Sequence, residues 1–135
     1  MALRVEIEKR LKGFTLRADF EAGNETMGLL GASGSGKSMT LRCVAGIEKP
    51  DRGRIILDGR TLYDSERGIC LSPQERNVGL MFQQYALFPH MTVKRNILCG
   101  MKGRKGPERE RRVEELMEAF GLTDLAERRP DQISG

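Results

Sequence analysis

Gly31-Ala32-Ser33-Gly34-Ser35-Gly36-Lys37-Ser38 fits the pattern G-x-x-x-x-G-K-[ST], and the rest of the chain is best read outward from it. Glycines at 31, 34 and 36 let the backbone turn tightly, so that successive N–H groups point inward as an anion nest. A helix starting at Lys37 aims its partial positive charge at the same place. Lys37 adds a mobile full charge for phosphate oxygens, and the Ser38 hydroxyl is an oxygen ligand for Mg²⁺. The competing reading is a flexible Gly/Ser linker. A chain of this composition shows the pattern by chance about once in a hundred. The flanks lower that chance: Met27 to Leu30 reads as a short buried strand. Lys37 to Ala45 reads as a helix with Leu41, Val44 and Ala45 on one side and Gly46 as its stop. A dinucleotide-binding fingerprint fails, because its third glycine would fall at Met39.

The 135 residues, 39% hydrophobic and 31% charged, suit one domain or part of a larger one and exclude a low-complexity or disordered chain. No apolar run approaches the ~20 residues of a membrane-spanning helix. The stretch from Met1 to Glu6 alternates and carries acid early, unlike a secretory signal. These features set the expectation of a soluble, cytoplasmic protein. Cys43, Cys70 and Cys99 are far apart, and with the single His90 they match no zinc or disulfide spacing. Net charge is +4, and its densest basic part, Lys102 to Arg112, interleaves Glu as a solvated helix face does. No nucleic-acid partner is expected.

Along the chain, Val5 and Ile7 alternate with Glu6 and Glu8 before a turn at Lys12-Gly13. Phe14, Leu16, Ala18 and Phe20 then share a face, so the two stretches predict an antiparallel hairpin. Ile55 to Leu57 and Thr61 to Tyr63 flank Asp58-Gly59, a hairpin turn requiring positive φ. Ser72 to Asn77 reads as a polar loop and Val78 to Phe82 as a strand. Thr92 caps a short helix holding Val93 and Ile97. From Pro107 a longer helix carries the stripe Val113, Leu116, Met117 and Phe120, which reads as core packing, with Gly121 as its stop. A last helical turn covers Asp124 to Arg128.

A phosphate loop alone does not separate kinases, GTPases and ATPases. A second segment, Val78-Gly79-Leu80-Met81-Phe82-Gln83-Gln84-Tyr85-Ala86-Leu87-Phe88-Pro89-His90, adds information. It delivers an amide at a strand end, able to ligate Mg²⁺ and position water. An exposed aromatic-apolar knuckle follows, which reads either as a docking surface or as an ordinary hydrophobic turn.

Together these residues resemble the ATP-binding subunit of an ABC importer. Gly31 to Ser38 is similar to the family's Walker A loop, Phe82-Gln83 to its Q-loop, and Asp131 to Gly135 to the opening of its signature region. The resemblance implies an α/β P-loop NTPase fold, incomplete here. Residues 1–84 would be a nucleotide-binding core with an antiparallel β subdomain, and residues 85–135 part of a helical subdomain. It implies ATP and Mg²⁺ as ligands. Gly31, Ala32, Ser33, Gly34, Ser35, Gly36, Lys37, Ser38 and Met39 would bind nucleotide, Ser38 and Gln83 would hold the metal, and Gln83 would act in catalysis. Phe14 is the candidate for stacking on adenine, with core packing as its alternative. Ser134 and Gly135 would belong to the signature, facing a nucleotide held by a second copy of the subunit. Tyr85, Leu87 and Phe88 would meet a membrane-spanning permease subunit, placing the protein peripherally on the inner face of the cell membrane.

Within the family, Gly53 to Arg76 and Glu8 to Phe14 resemble molybdate-importer ATPases, with sulfate, iron and sugar importers as close relatives. The family's later apolar strand ending Asp-Glu and its switch histidine have no counterpart. Asp58 follows Ile55 to Leu57 but precedes Gly59, and stands in the wrong order. The expectation is therefore a truncated subunit that binds ATP at best and does not hydrolyse it alone. Competing readings are a fragment that binds weakly or aggregates, a non-transport ABC ATPase, and a P-loop phosphotransferase.

Overall fold

The computed structural model describes residues 2–101, 103 and 105–133. The chain forms two compact units, Met1–Leu80 and Met81–Gly135.

In the first unit, β1 (Leu3–Leu11) and β2 (Phe14–Ala22) pair antiparallel from Leu3↔Ala22 to Leu11↔Phe14, turning at Gly13. β3 (Arg52–Leu57), β4 (Arg60–Asp64) and β5 (Ile69–Cys70) complete a five-stranded antiparallel sheet in the order β2-β1-β3-β4-β5. The β3–β4 turn is made by Asp58 at φ 50° and Gly59 at φ 75°, the left-handed pair that a two-residue hairpin needs. Gly53, at φ 112°, lies so close to β1 that a Cβ would run into the Glu6 carbonyl. The charged residues of β1 pair across strands on the solvent side: Arg4 with Asp19 at 2.7 Å, and Glu8 with Arg52 at 2.8 Å. The other side carries the core, where Val5, Ile7, Ile55, Leu62 and Tyr63 pack with Cys43 and Val44 of α1 (Lys37–Ala45). The buried Tyr63 hydroxyl donates to the Pro50 carbonyl at 2.9 Å.

Several expectations are corrected. Met27–Leu30 and Val78–Phe82 form no strand, and Leu30 is 98% exposed. An apolar run becomes a strand only when a neighbour satisfies its N–H and C=O groups. On α1 the buried residues are Thr40, Cys43, Val44 and Ala45, while Leu41 faces out. The loop predicted at 72–77 contains a one-turn helix, α2 (Pro73–Arg76), held by a capping box. Glu75 accepts from the Ser72 N–H at 2.9 Å and from its hydroxyl at 2.7 Å.

In the second unit, α3 (Val93–Cys99) is capped by Thr92, whose hydroxyl accepts the Arg95 N–H at 3.3 Å. α4 (Pro107–Ala119) buries Val113 and Met117. Phe120 is 73% exposed, so the predicted stripe ends at Met117. Phe120 stands at the C-cap, where the chain leaves helical geometry and no longer faces the core side. Short 3₁₀ turns at Thr123–Leu125 and Pro130–Gln132 end the described chain. No helix among the described residues is long and apolar enough to cross a membrane.

Candidate nucleotide-binding site

The loop ahead of α1 takes the shape that its glycines permit. The Ser35 N–H donates to the Ala32 carbonyl at 3.1 Å, closing a turn, with Gly34 at φ 78°. Gly36, at φ 99°, is the N-cap of α1, and its carbonyl accepts both the N–H and the hydroxyl of Thr40, each at 2.9 Å. The Lys37 ammonium folds back over the loop. It donates to the carbonyls of Gly31 at 2.6 Å and Ala32 at 2.7 Å. No acidic residue stands in the first turn of α1, so the positive end of the helix is not neutralised from within. Gly31 to Ser35 and Ser38 are exposed, Gly36 and Lys37 are half-buried, and Met39 packs partly against the core. The arrangement sets the Lys37 ammonium over the loop's own carbonyls beside the N-terminus of α1, with Ser38 exposed at the helix start. Ser38 Oγ, an exposed oxygen at the helix start, also suits a hard cation such as Mg²⁺.

Two supports of this loop escaped the sequence reading. Leu16, buried on β2, lies against Gly36, where a Cβ would stand 2.7 Å from Leu16 Cδ1. The alternation of β2 puts Leu16 inward but does not name its neighbour. Arg76 is buried against the other end of α1. The Ser72-to-Glu75 spacing after which it stands was a readable signal of a helix. Phe14 opens β2 and is 41% exposed, so it is not a core residue. Asp58 lies in the β3–β4 turn, and its carboxylate accepts the Ala2 N–H at 2.7 Å.

The remaining predicted residues belong to the second unit. Gln83 lies in a turn, not at a strand end, and Tyr85 follows at φ 32°. Tyr85, Leu87 and Phe88 are exposed. Their knuckle is held by Asn96, whose Oδ1 accepts the Phe88 N–H at 2.9 Å. Its Nδ2 donates to the carbonyls of Phe88, Met91 and Thr92 at 3.1 to 3.2 Å. Ser134 and Gly135 lie outside the described residues.

The family described as ABC transporter matches residues 15–135. The chain belongs to the ABC transporter family. Its relatives are import ATP-binding proteins. One from Archaeoglobus fulgidus, named for molybdate/tungstate, is 44% identical over 135 residues, all of this chain and 54% of its own length. One from Thermococcus litoralis, named for trehalose/maltose, is 48% identical over 113 residues, 82% of this chain and 30% of its own length. A molybdenum import protein of Paramagnetospirillum magneticum is 39% identical over 133 residues, 98% of this chain and 37% of its own length. The chain thus spans about half or less of the length of these relatives. A dimeric ATP-binding cassette solved in a post-hydrolysis state with ADP and Pi superposes with a TM-score of 0.72. It is 23% identical, with 99% of this chain and 63% of that one covered. This likeness is one of fold: an incomplete α/β P-loop cassette with an antiparallel subdomain.

Proposed function

We propose that this chain is the nucleotide-binding part of the ATP-binding, energy-coupling subunit of an ABC importer, and that it binds Mg-ATP through the loop from Gly31 to Ser38. One observation carries the reading: a lysine held over glycine-rich backbone at the uncompensated N-terminus of α1. On binding, the Lys37 ammonium exchanges the Gly31 and Ala32 carbonyls for β- and γ-phosphate oxygens. The N–H groups freed by the turns at Gly34 and Gly36 meet the same phosphates. Ser38 and Gln83 would hold Mg²⁺, which when bound neutralises phosphate charge. Phe14, exposed beside the sheet edge, would stack on adenine.

Gln83 would position water for hydrolysis in the longer protein. In this reading the chain alone binds nucleotide without turning it over, because Asp58 is engaged in a hairpin turn and no Asp-Glu strand accompanies it. Ser134 and Gly135 would open the signature that faces a second copy of the subunit. Tyr85, Leu87 and Phe88, apolar and exposed on a loop fixed by Asn96, would receive the permease on the inner membrane face. An oxyanion of the molybdate class is the favoured cargo, supported by the identity over the whole chain to the molybdate/tungstate relative. Sugar and sulfate import proteins of similar identity over shorter stretches supply the alternative.

The test is titration of the chain with Mg-ATP, with Lys37→Ala alongside and phosphate release followed in the same samples. Binding lost in the variant, with no release, is expected. Equal affinity in the variant would remove the phosphate-loop assignment, and turnover would require a catalytic carboxylate within these residues.

A further inference from the structure

α1 is nine residues long, about 14 Å at helical rise. A shift at its C-terminal end is therefore felt at the loop that opens it. That end is held by Arg76, the last residue of α2, which is 0% exposed. Its guanidinium spends its donors on main chain. Nη1 donates to the carbonyls of Cys43 at 2.8 Å and Val44 at 3.1 Å, and Nε donates to that of Leu71 at 2.9 Å. Nη2 lies 4.0 Å from Cys70 Sγ. The Arg76 carbonyl in turn accepts from the Arg60 guanidinium.

Cys43 and Val44 stand in the last turn of α1, where carbonyls lose their i+4 helical partners; the Cys43 carbonyl accepts the Gly46 N–H at 3.2 Å as well as Arg76. A cation there also complements the negative end of the helix. Gly46, at φ 83°, leaves the room for it, since a Cβ would stand 2.6 Å from Arg76 Nε. Burying a guanidinium costs heavily unless its donors are met, and an apolar side chain would fill the same space more cheaply. What an apolar residue cannot do is fix the direction of two carbonyls at once. Asn77, at φ 59°, then turns the chain into the segment leading to Gln83, so one side chain ties the origin of that segment to α1.

We propose that Arg76 is a positioning residue for nucleotide binding: by clamping the C-terminal carbonyls of α1 it holds the loop from Gly31 to Ser38 in the geometry that accepts phosphate. The proposal rests on the reading of that loop as an Mg-ATP site. It is tested by Mg-ATP titration of Arg76→Met and Arg76→Lys, together with peptide-resolved alkylation of Cys43 without nucleotide. Cys43 is a direct reporter, being buried and having its own carbonyl in the clamp. Tyr63→Phe is the control, removing a buried hydrogen bond in the same unit while leaving the carbonyls of α1 untouched.

Arg76→Met is expected to weaken Mg-ATP tenfold or more and to speed Cys43 alkylation by a similar factor. Arg76→Lys should fall between it and the unaltered chain, because a single ammonium meets the carbonyls less completely. Tyr63→Phe should leave the affinity unchanged. Unaltered affinity and Cys43 protection in Arg76→Met would overturn the proposal, as would an equal loss in Tyr63→Phe. If Arg76→Met does not fold, unaltered values in Arg76→Lys have the same force. If the unaltered chain fails to bind Mg-ATP, the ATP-site reading falls and the nucleotide role of Arg76 with it. The alkylation rates then still report whether Arg76 clamps α1.

Discussion

Replacing Gly36 by alanine separates two demands that the structure makes on one position. The first is conformational: at φ 99° a Cβ is disfavoured by roughly 1–2 kcal/mol whatever surrounds it. The second is steric, because the added methyl would stand 2.7 Å from Leu16 Cδ1 in a packed contact. Overpacking of this kind costs about 1–3 kcal/mol. Gly34 provides the comparison: it has φ 78°, and a Cβ there would meet nothing within 4 Å. Gly34→Ala should therefore cost only the conformational part, and Gly36→Ala roughly 2–5 kcal/mol in total. Leu16→Ala alone removes a buried side chain, at about 2–5 kcal/mol. The double variant should be less destabilised than the sum by about 1 kcal/mol, since the truncated leucine makes room for the methyl. Urea denaturation of the four variants, followed by circular dichroism, measures the cycle. Equal costs for Gly34→Ala and Gly36→Ala, or strict additivity with Leu16→Ala, would show that β2 does not brace the loop.

Two further outcomes are expected. Hydrogen bonding and charge from Arg52, with Arg17 adding to them, hold the Glu8 carboxyl below its ordinary value, and the Ser72 hydroxyl and N–H do the same for Glu75. Depressed carboxyls contribute stability that is present above the ordinary glutamate value and is lost as pH falls through the depressed one. Denaturation midpoints should therefore drop below about pH 4.3, less steeply in Glu75→Gln than in the unaltered chain; identical slopes would contradict the capping box. Asn96→Ala removes every bond that its side chain makes to Phe88, Met91 and Thr92, so the Phe88 amide should exchange with solvent much faster while α4 keeps its protection. Unchanged exchange at Phe88 would mean that the knuckle holds itself.

What was legible in the sequence is what is decided locally. The turns at Gly34 and Gly36, the helix from Lys37 to Ala45 with its stop at Gly46, and the Asp58-Gly59 turn each carry their geometry in a few adjacent residues, and each is present. Met27 to Leu30 and Val78 to Phe82 have a strand's composition, but strand formation is a property of pairs, and neither is paired among the described residues. The outward turn of Leu41 has a related cause. One apolar periodicity fits several faces of a short helix, and Thr40 takes the buried place because its hydroxyl is satisfied by the Gly36 carbonyl. Arg76 is hidden from sequence reasoning for the opposite reason. In Ser72-Pro73-Gln74-Glu75-Arg76-Asn77 every residue looks solvated, and it takes the distant carbonyls of Cys43 and Val44, beside that of Leu71, to make burial of the guanidinium tolerable.

The site therefore has two kinds of determinant with different consequences. The shape of the phosphate loop is self-contained, closed by the Ala32–Ser35 turn and by Lys37 on its own carbonyls. Its placement is not, since Leu16 braces it at Gly36 and Arg76 holds the far end of α1, one well before the loop in sequence and the other well after it. A loop that is correct in shape but free to tilt presents its N–H groups to phosphate in varying directions, and each lost alignment weakens a charge-assisted bond steeply. In the proposed reading, the glycine pattern alone would not suffice for tight binding. On that same reading, the buried leucine and the buried arginine would give the loop a fixed orientation on the sheet.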